Sequence, residues 1–176
     1  GKAVLFKRFA DVDVFDIEVD AENPDDFIDT VARIASGFGG INLEDIAAPH
    51  CFYIEEELKR RLDIPVFHDD QHGTAIIIAA GILNALELQE KTLADAKIVC
   101  LGAGAAGVAS MNLLMEMGAQ RDNIYMVDRQ GIMHHKRENL TPTKQAFVIK
   151  TDKRTLADAC EDAADILHKA SVPSEN

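Results

Sequence analysis

Lys97-Ile98-Val99-Cys100-Leu101-Gly102-Ala103-Gly104-Ala105-Ala106-Gly107-Val108 is the stretch whose reading decides the fold. Residues 97–101 are rich in β-branched and apolar side chains and predict a strand. Residues 105–117 predict a helix that Gly118 stops. The glycine spacing between them suits a tight turn, a close approach of a pyrophosphate, and close packing of helix on strand. The helix N-terminus adds N–H donors and the positive end of its dipole. Glycine-rich turns recur by chance, so the spacing alone is weak. Here strand and helix flank the turn, and Asp128 closes the next strand, about 20 residues on, where an acid holds a ribose hydroxyl. The stretch therefore reads as a dinucleotide turn, with Gly102, Ala103, Gly104, Ala105, Ala106, Gly107 and Asp128 as cofactor-binding candidates. Asp128 favours NAD, because a carboxylate repels a 2′-phosphate. Arg129 and Lys144 favour NADP if they neutralise that phosphate, and neither if they are solvated surface cations.

Upstream, two short apolar runs end in paired acids: Ile41-Asn42-Leu43-Glu44-Asp45 and Pro65-Val66-Phe67-His68-Asp69-Asp70. Carboxylates at strand ends offer a hard divalent cation several anionic oxygens on a rigid frame. Ligands of open α/β sheets sit outside those strand ends. An isolated acid pair more often caps a helix or faces solvent. Two pairs at successive strand ends beside a nucleotide turn favour Mg²⁺ or Mn²⁺. Because side chains alternate along a strand, Asp70 is expected as a ligand and Asp69 as a catalytic-site group just behind the ion. All-oxygen coordination suits these metals better than imidazole, so His68 and His72 are read as packing or supporting groups.

The whole chain alternates strand and helix. Strands are expected at 4–9, 14–19, 41–43, 64–67, 97–101 and 124–127, with a last one at 165–167. Helices are expected from Pro24 to Gly37, over 52–62, 74–88 and 105–117, and more weakly over 143–149 and 155–163. Residues 74–88 are apolar nearly all round and predict a buried helix. The fold class is α/β, with mainly parallel sheets. A metal- and substrate-binding half, 1–72, precedes an incomplete Rossmann-type NAD(P)-binding domain, 73–176. The 176 residues are enough to bury a core. A net charge of −12 argues against nucleic acid or an anionic membrane as partner. No apolar run reaches the ~18–20 residues a membrane span needs. Cys51, Cys100 and Cys160 are odd in number and widely spaced, which reads as reduced thiols in a cytoplasmic protein.

Taken together, the segments Asn42–Pro49, Phe67–Ala75 and Leu101–Gly107 resemble the malic enzymes, specifically the short bacterial type. The resemblance runs from Gly1 to about Asp165. It implies that Glu44, Asp45 and Asp70 hold the metal. The segment Gly1–Phe6 resembles the one carrying the family's catalytic lysine, which makes Lys2 the base. The family's lysine near the position of Lys144 goes with NADP, so NADP is expected, with NAD as the alternative. The implied reaction is oxidation and decarboxylation of malate to pyruvate and CO₂ with reduction of NAD(P)⁺, in a homo-oligomer, a dimer in the family. The family's acid-donating tyrosine lies upstream of the lysine, and substrate-contacting asparagines lie beyond the last residues here. A chain truncated at both ends is therefore expected to bind metal weakly and turn malate over poorly. Two other readings stand beside this one. One is a metal-free hydroxy-acid or amino-acid dehydrogenase, indifferent to EDTA. The other is a catalytically silent NAD(P)-binding module.

Overall fold

Strands β3 (Ile98–Leu101) and β4 (Ile124–Asp128) lie parallel, with Ile98 opposite Ile124 and Leu101 opposite Val127. In this computed structural model the described residues are 1–138, 140–149, 160, 161 and 163–166. The short β5 (Gly131–Ile132) turns back antiparallel on β4, giving the order β3-β4-β5. Alternation along β4 sends Ile124 and Met126 to one core, with Ala79, Val108, Met111, Leu114, Met133 and Phe147. It sends Tyr125 to the other, with Ile132, Ile149 and Ala163. Apolar side chains thus cover both faces of the sheet, as a parallel sheet requires. Helices α4 (Thr74–Leu88) and α5 (Ala105–Glu116) pack on one another.

Contacts divide the chain into two units, Gly1–Ile41 with Tyr53–Val66, and Asn42–Phe52 with the described residues from Phe67 onward. In the first unit α2 (Pro24–Ile34) starts from Asn23, whose side chain accepts the Asp26 N–H at 3.0 Å, and buries Ile28 and Val31. Helix α3 (His50–Arg61) ends in Lys59, Arg60 and Arg61, which suit the negative end of its dipole. Tyr53 and Arg61 on α3 reach Asp25 and Asp29 on α2, each at 2.6 Å. Strands β1 (Ile41–Leu43) and β2 (Val66–His68) pair in a two-stranded sheet.

Residues 4–9 are not a strand but lie in helix α1 (Lys2–Ala10), and residues 14–19 form no strand. Apolar content suggested β structure there, yet Val4 and no other residue of α1 is β-branched. Lys7 pairs with Asp11 one turn on at 2.7 Å, and Asp11 closes the helix in a left-handed conformation. Helix α4 has the expected limits, but it buries only Ala75 and Ala79, and Ile77 is 73% exposed. Its all-round apolar surface outruns what the described residues cover. The helix expected over 143–149 shrinks to α6 (Pro142–Gln145). Asp165 and Ile166 are helical rather than extended, while Leu167 lies outside the described residues. Of the helix expected over 155–163, Cys160, Glu161 and Ala163 are helical and the rest lies outside the described residues.

Candidate metal and dinucleotide site

Asp69-Asp70-Gln71-His72-Gly73 leaves β2 in a wide π-type turn and feeds directly into α4. On such a turn neighbouring side chains no longer alternate between opposite faces, as they would on a strand. Asp69 and Asp70 therefore point the same way, and Glu44, just past β1, joins them. One carboxylate oxygen from each of Glu44, Asp69 and Asp70 lies within 4.8 Å of the other two. Two ligands on opposite sides of a small divalent ion lie about 4 Å apart. The spacing and the all-carboxylate chemistry fit such a cation, and all three residues are half-buried. Asn42 holds Glu44 in place, its Nδ2 donating to Oε1 at 2.7 Å.

Gly73 shapes the same cradle. A Cβ there would overlap Asp69 Oδ1, so only glycine leaves that carboxylate its position. His68 is wholly buried, and neither ring nitrogen has a hydrogen-bond partner among the described residues. Asp45 stands outside the acid group. It is exposed, with a left-handed φ of 54°, a conformation aspartate tolerates better than most residues. Lys2 is exposed at the first position of α1, in the other unit.

The acid-bearing turn packs against both α4 and α5. Helix α5 begins at the glycine turn, with Gly104 as its N-cap. Gly102 takes φ +118°, a region open to glycine, and its N–H donates to Val127 O at 2.8 Å. A Cβ on Gly107 would overlap Gly102 O and press on Cys100 Sγ, so the third glycine permits the helix–strand approach. A Cβ on Gly104 would meet nothing within 4 Å, which leaves the turn open above the helix N-terminus. Open space, free N–H groups and the dipole of a 12-residue helix fit a pyrophosphate. The thiol of Cys100 donates to Gly102 O at 3.4 Å, and burial raises its pKa.

At the end of β4 the Asp128 carboxylate is enclosed by donors. Arg137 grips both of its oxygens at 3.0 Å, Lys144 Nζ reaches Oδ2 at 3.0 Å, and the Gln130 N–H reaches Oδ1 at 2.9 Å. The Arg137 guanidinium above all, with the Gln130 N–H and Lys144, holds this carboxyl well below the usual carboxylate range. Arg129 is exposed. Of the expected cofactor residues, Asp128 and Lys144 thus meet, and sequence reasoning missed Arg137. No local pattern marks it, because β5 and the loop after it bring it back to Asp128.

Residues 71–171 match the family model "Malic enzyme, NAD binding domain" and residues 1–59 match "Malic enzyme, N-terminal domain". The NADP-dependent malic enzyme of Halomonas elongata is 62% identical over 93% of this chain and 39% of its own length. The NAD-dependent malic enzyme of Rhizobium meliloti is 54% identical over 90% of this chain and 21% of its own length. The crystal structure of the NAD-dependent malic enzyme of Thermotoga maritima superposes with a TM-score of 0.79 at 41% identity, covering 88% of this chain and 41% of that one. The chain therefore spans about two fifths, or less, of the length of these relatives. With domain matches that take in most of its residues and identities this high, the chain belongs to the malic enzyme family.

Proposed function

We propose that this chain carries the metal-binding and dinucleotide-binding parts of an enzyme that oxidises and decarboxylates malate to pyruvate and CO₂ while reducing NADP⁺. The observation that carries the reading is the convergence of Glu44, Asp69 and Asp70 on a turn packed against α5. When bound, a Mg²⁺ or Mn²⁺ ion supplies Lewis-acid polarisation of the C2 oxygen, and an NADP⁺ supplies the hydride acceptor. Glu44, Asp69 and Asp70 hold the ion's side of the site, with Asp45 one residue from Glu44. Gly73 keeps Asp69 in position.

The N–H groups at the start of α5 hold the pyrophosphate, and Gly102, Ala103, Gly104, Ala105, Ala106 and Gly107 keep that surface small. Lys2, through the match of Gly1–Phe6 to the family's lysine segment, takes the C2 hydroxyl proton as hydride leaves. A lysine acts this way only when neutral, a form that nearby positive charge favours. The organisation proposed is a metal- and substrate-binding part up to about residue 72 and a nucleotide-binding part from 73. The family matches, ending at 59 and starting at 71, support it. The proposed setting is the cytoplasm, and the proposed assembly a homodimer. No helix among the described residues is long and apolar enough to cross a membrane, and none of the three cysteines is in a disulfide.

The test is malate-dependent reduction of NADP⁺ by the enzyme containing this sequence, with Mn²⁺ present. NADPH and pyruvate should form in equal amounts, and EDTA should stop the reaction. Turnover that survives EDTA would overturn the reading in favour of a metal-free dehydrogenase.

A further inference from the structure

His68 differs from the other buried polar side chains. Glu55 pairs with Lys59 at 2.8 Å, and the Ser110 hydroxyl donates to Ala106 O at 2.7 Å. The His68 imidazole is wholly buried, yet both of its ring nitrogens lack a hydrogen-bond partner among the described residues. A neutral imidazole carries a donor on one nitrogen and an acceptor on the other. Burying both unpaired lowers stability, and an apolar side chain of similar size would fill the space without that loss. Nor does His68 serve the backbone: it stands as N-cap of the turn that follows but makes no side-chain cap.

Its place in the fold supplies a reason. Alternation along β2 turns Val66 and His68 inward and Phe67 outward. Asp69 comes next, and the turn 69–73 carries two of the three carboxylates that converge. A carboxylate that holds a cation through one oxygen keeps lone pairs on the other. Ligating carboxylates are ordinarily fixed by a hydrogen-bond donor behind them. Glu44 has such a donor in Asn42. His68 brings an uncommitted N–H to the root of the turn that bears the other two.

We propose that His68 is a positioning residue for the cation: its ring N–H, unpaired in the metal-free protein, donates to the carboxylates of the 69–73 turn in the metal-loaded state. This rests on the metal reading above and deepens it. The imidazole then weakens the metal-free fold and strengthens metal binding. A side chain that merely packs does neither.

The test takes two readings on the 176-residue chain and its variants. One is the urea midpoint without metal, the other Mn²⁺ affinity from the paramagnetic resonance of the free ion. His68→Leu removes both ring nitrogens and keeps a side chain of similar size. It should raise the metal-free midpoint and weaken Mn²⁺ binding about tenfold or more, as losing a group that supports a metal ligand does. The two readings thus move in opposite senses. His68→Gln keeps an N–H donor and should bind Mn²⁺ more tightly than His68→Leu. A lower midpoint for His68→Leu overturns the inference, because the imidazole is then already satisfied in the metal-free protein. A His68→Leu chain that does not fold overturns it for the same reason. Unchanged Mn²⁺ affinity in His68→Leu, or a His68→Gln variant that binds no better, overturns it as well. Absence of Mn²⁺ binding by the unaltered chain would instead remove the metal reading itself.

Discussion

At Gly73 a single missing methyl group governs a carboxylate. Gly73→Ala places a Cβ on Asp69 Oδ1, so the carboxylate must rotate out of the group it forms with Glu44 and Asp70. The expected result is a loss of Mn²⁺ affinity of about tenfold or more, the scale on which supporting groups act at metal sites. The loss should match that of Asp69→Asn, as read by the paramagnetic resonance of free Mn²⁺. A second residue-scale prediction concerns pH. The folded pKa of Asp128 lies far below its ordinary value of 3.8, chiefly through Arg137. A depressed carboxylate contributes stability that is complete above its unfolded value and is lost as pH falls toward its folded value. Asp128→Asn should therefore lower the denaturation midpoint at pH 7, and the difference should shrink steadily below about pH 4. A difference independent of pH would contradict the ion pairs.

Arg121 acts at the scale of the element. It donates from Nε to Ala146 O at 2.8 Å and from Nη2 to Val148 O at 3.0 Å, and lies over the Phe147 ring at 5.6 Å. It thus pins the segment that follows Lys144 to the loop ahead of β4. Arg121→Met should cost about 2 kcal/mol of stability, the scale for losing hydrogen bonds to a charged group and leaving their carbonyls unpaired. Urea titration measures this. The glycine turn gives a second case, since Gly107→Ala must part α5 from β3. About 1–3 kcal/mol is expected, the ordinary cost of overpacking.

Elements whose signals are local were legible in advance. Gly73 and Thr74 mark the start of α4, and Leu88 its end; the strand–turn–helix over 98–116 and the Asn23 cap of α2 read equally well. Signals that depend on distant partners were not. Nothing in residues 2–10 separates an exposed helix from a buried strand until it is known what faces them. The π-type turn after β2 changes which acids converge, and no spacing announces it. Arg137 was invisible because its partner lies nine residues back, across the β4–β5 reversal.

For the molecule as a whole, one statement carries the rest: residues 42–73 bring three anionic oxygens to a point, in the same unit as the dinucleotide turn. The fold class could be read from the chain. Which acids meet, and how tightly Asp128 is held, depended on tertiary geometry. The most direct test is a Mn²⁺ titration of this chain followed by paramagnetic resonance, with Glu44→Gln and Asp70→Asn run beside it. The account predicts one Mn²⁺ site per chain, weakened at least about tenfold by either substitution. Equal Mn²⁺ binding by the unaltered chain and both variants would contradict it.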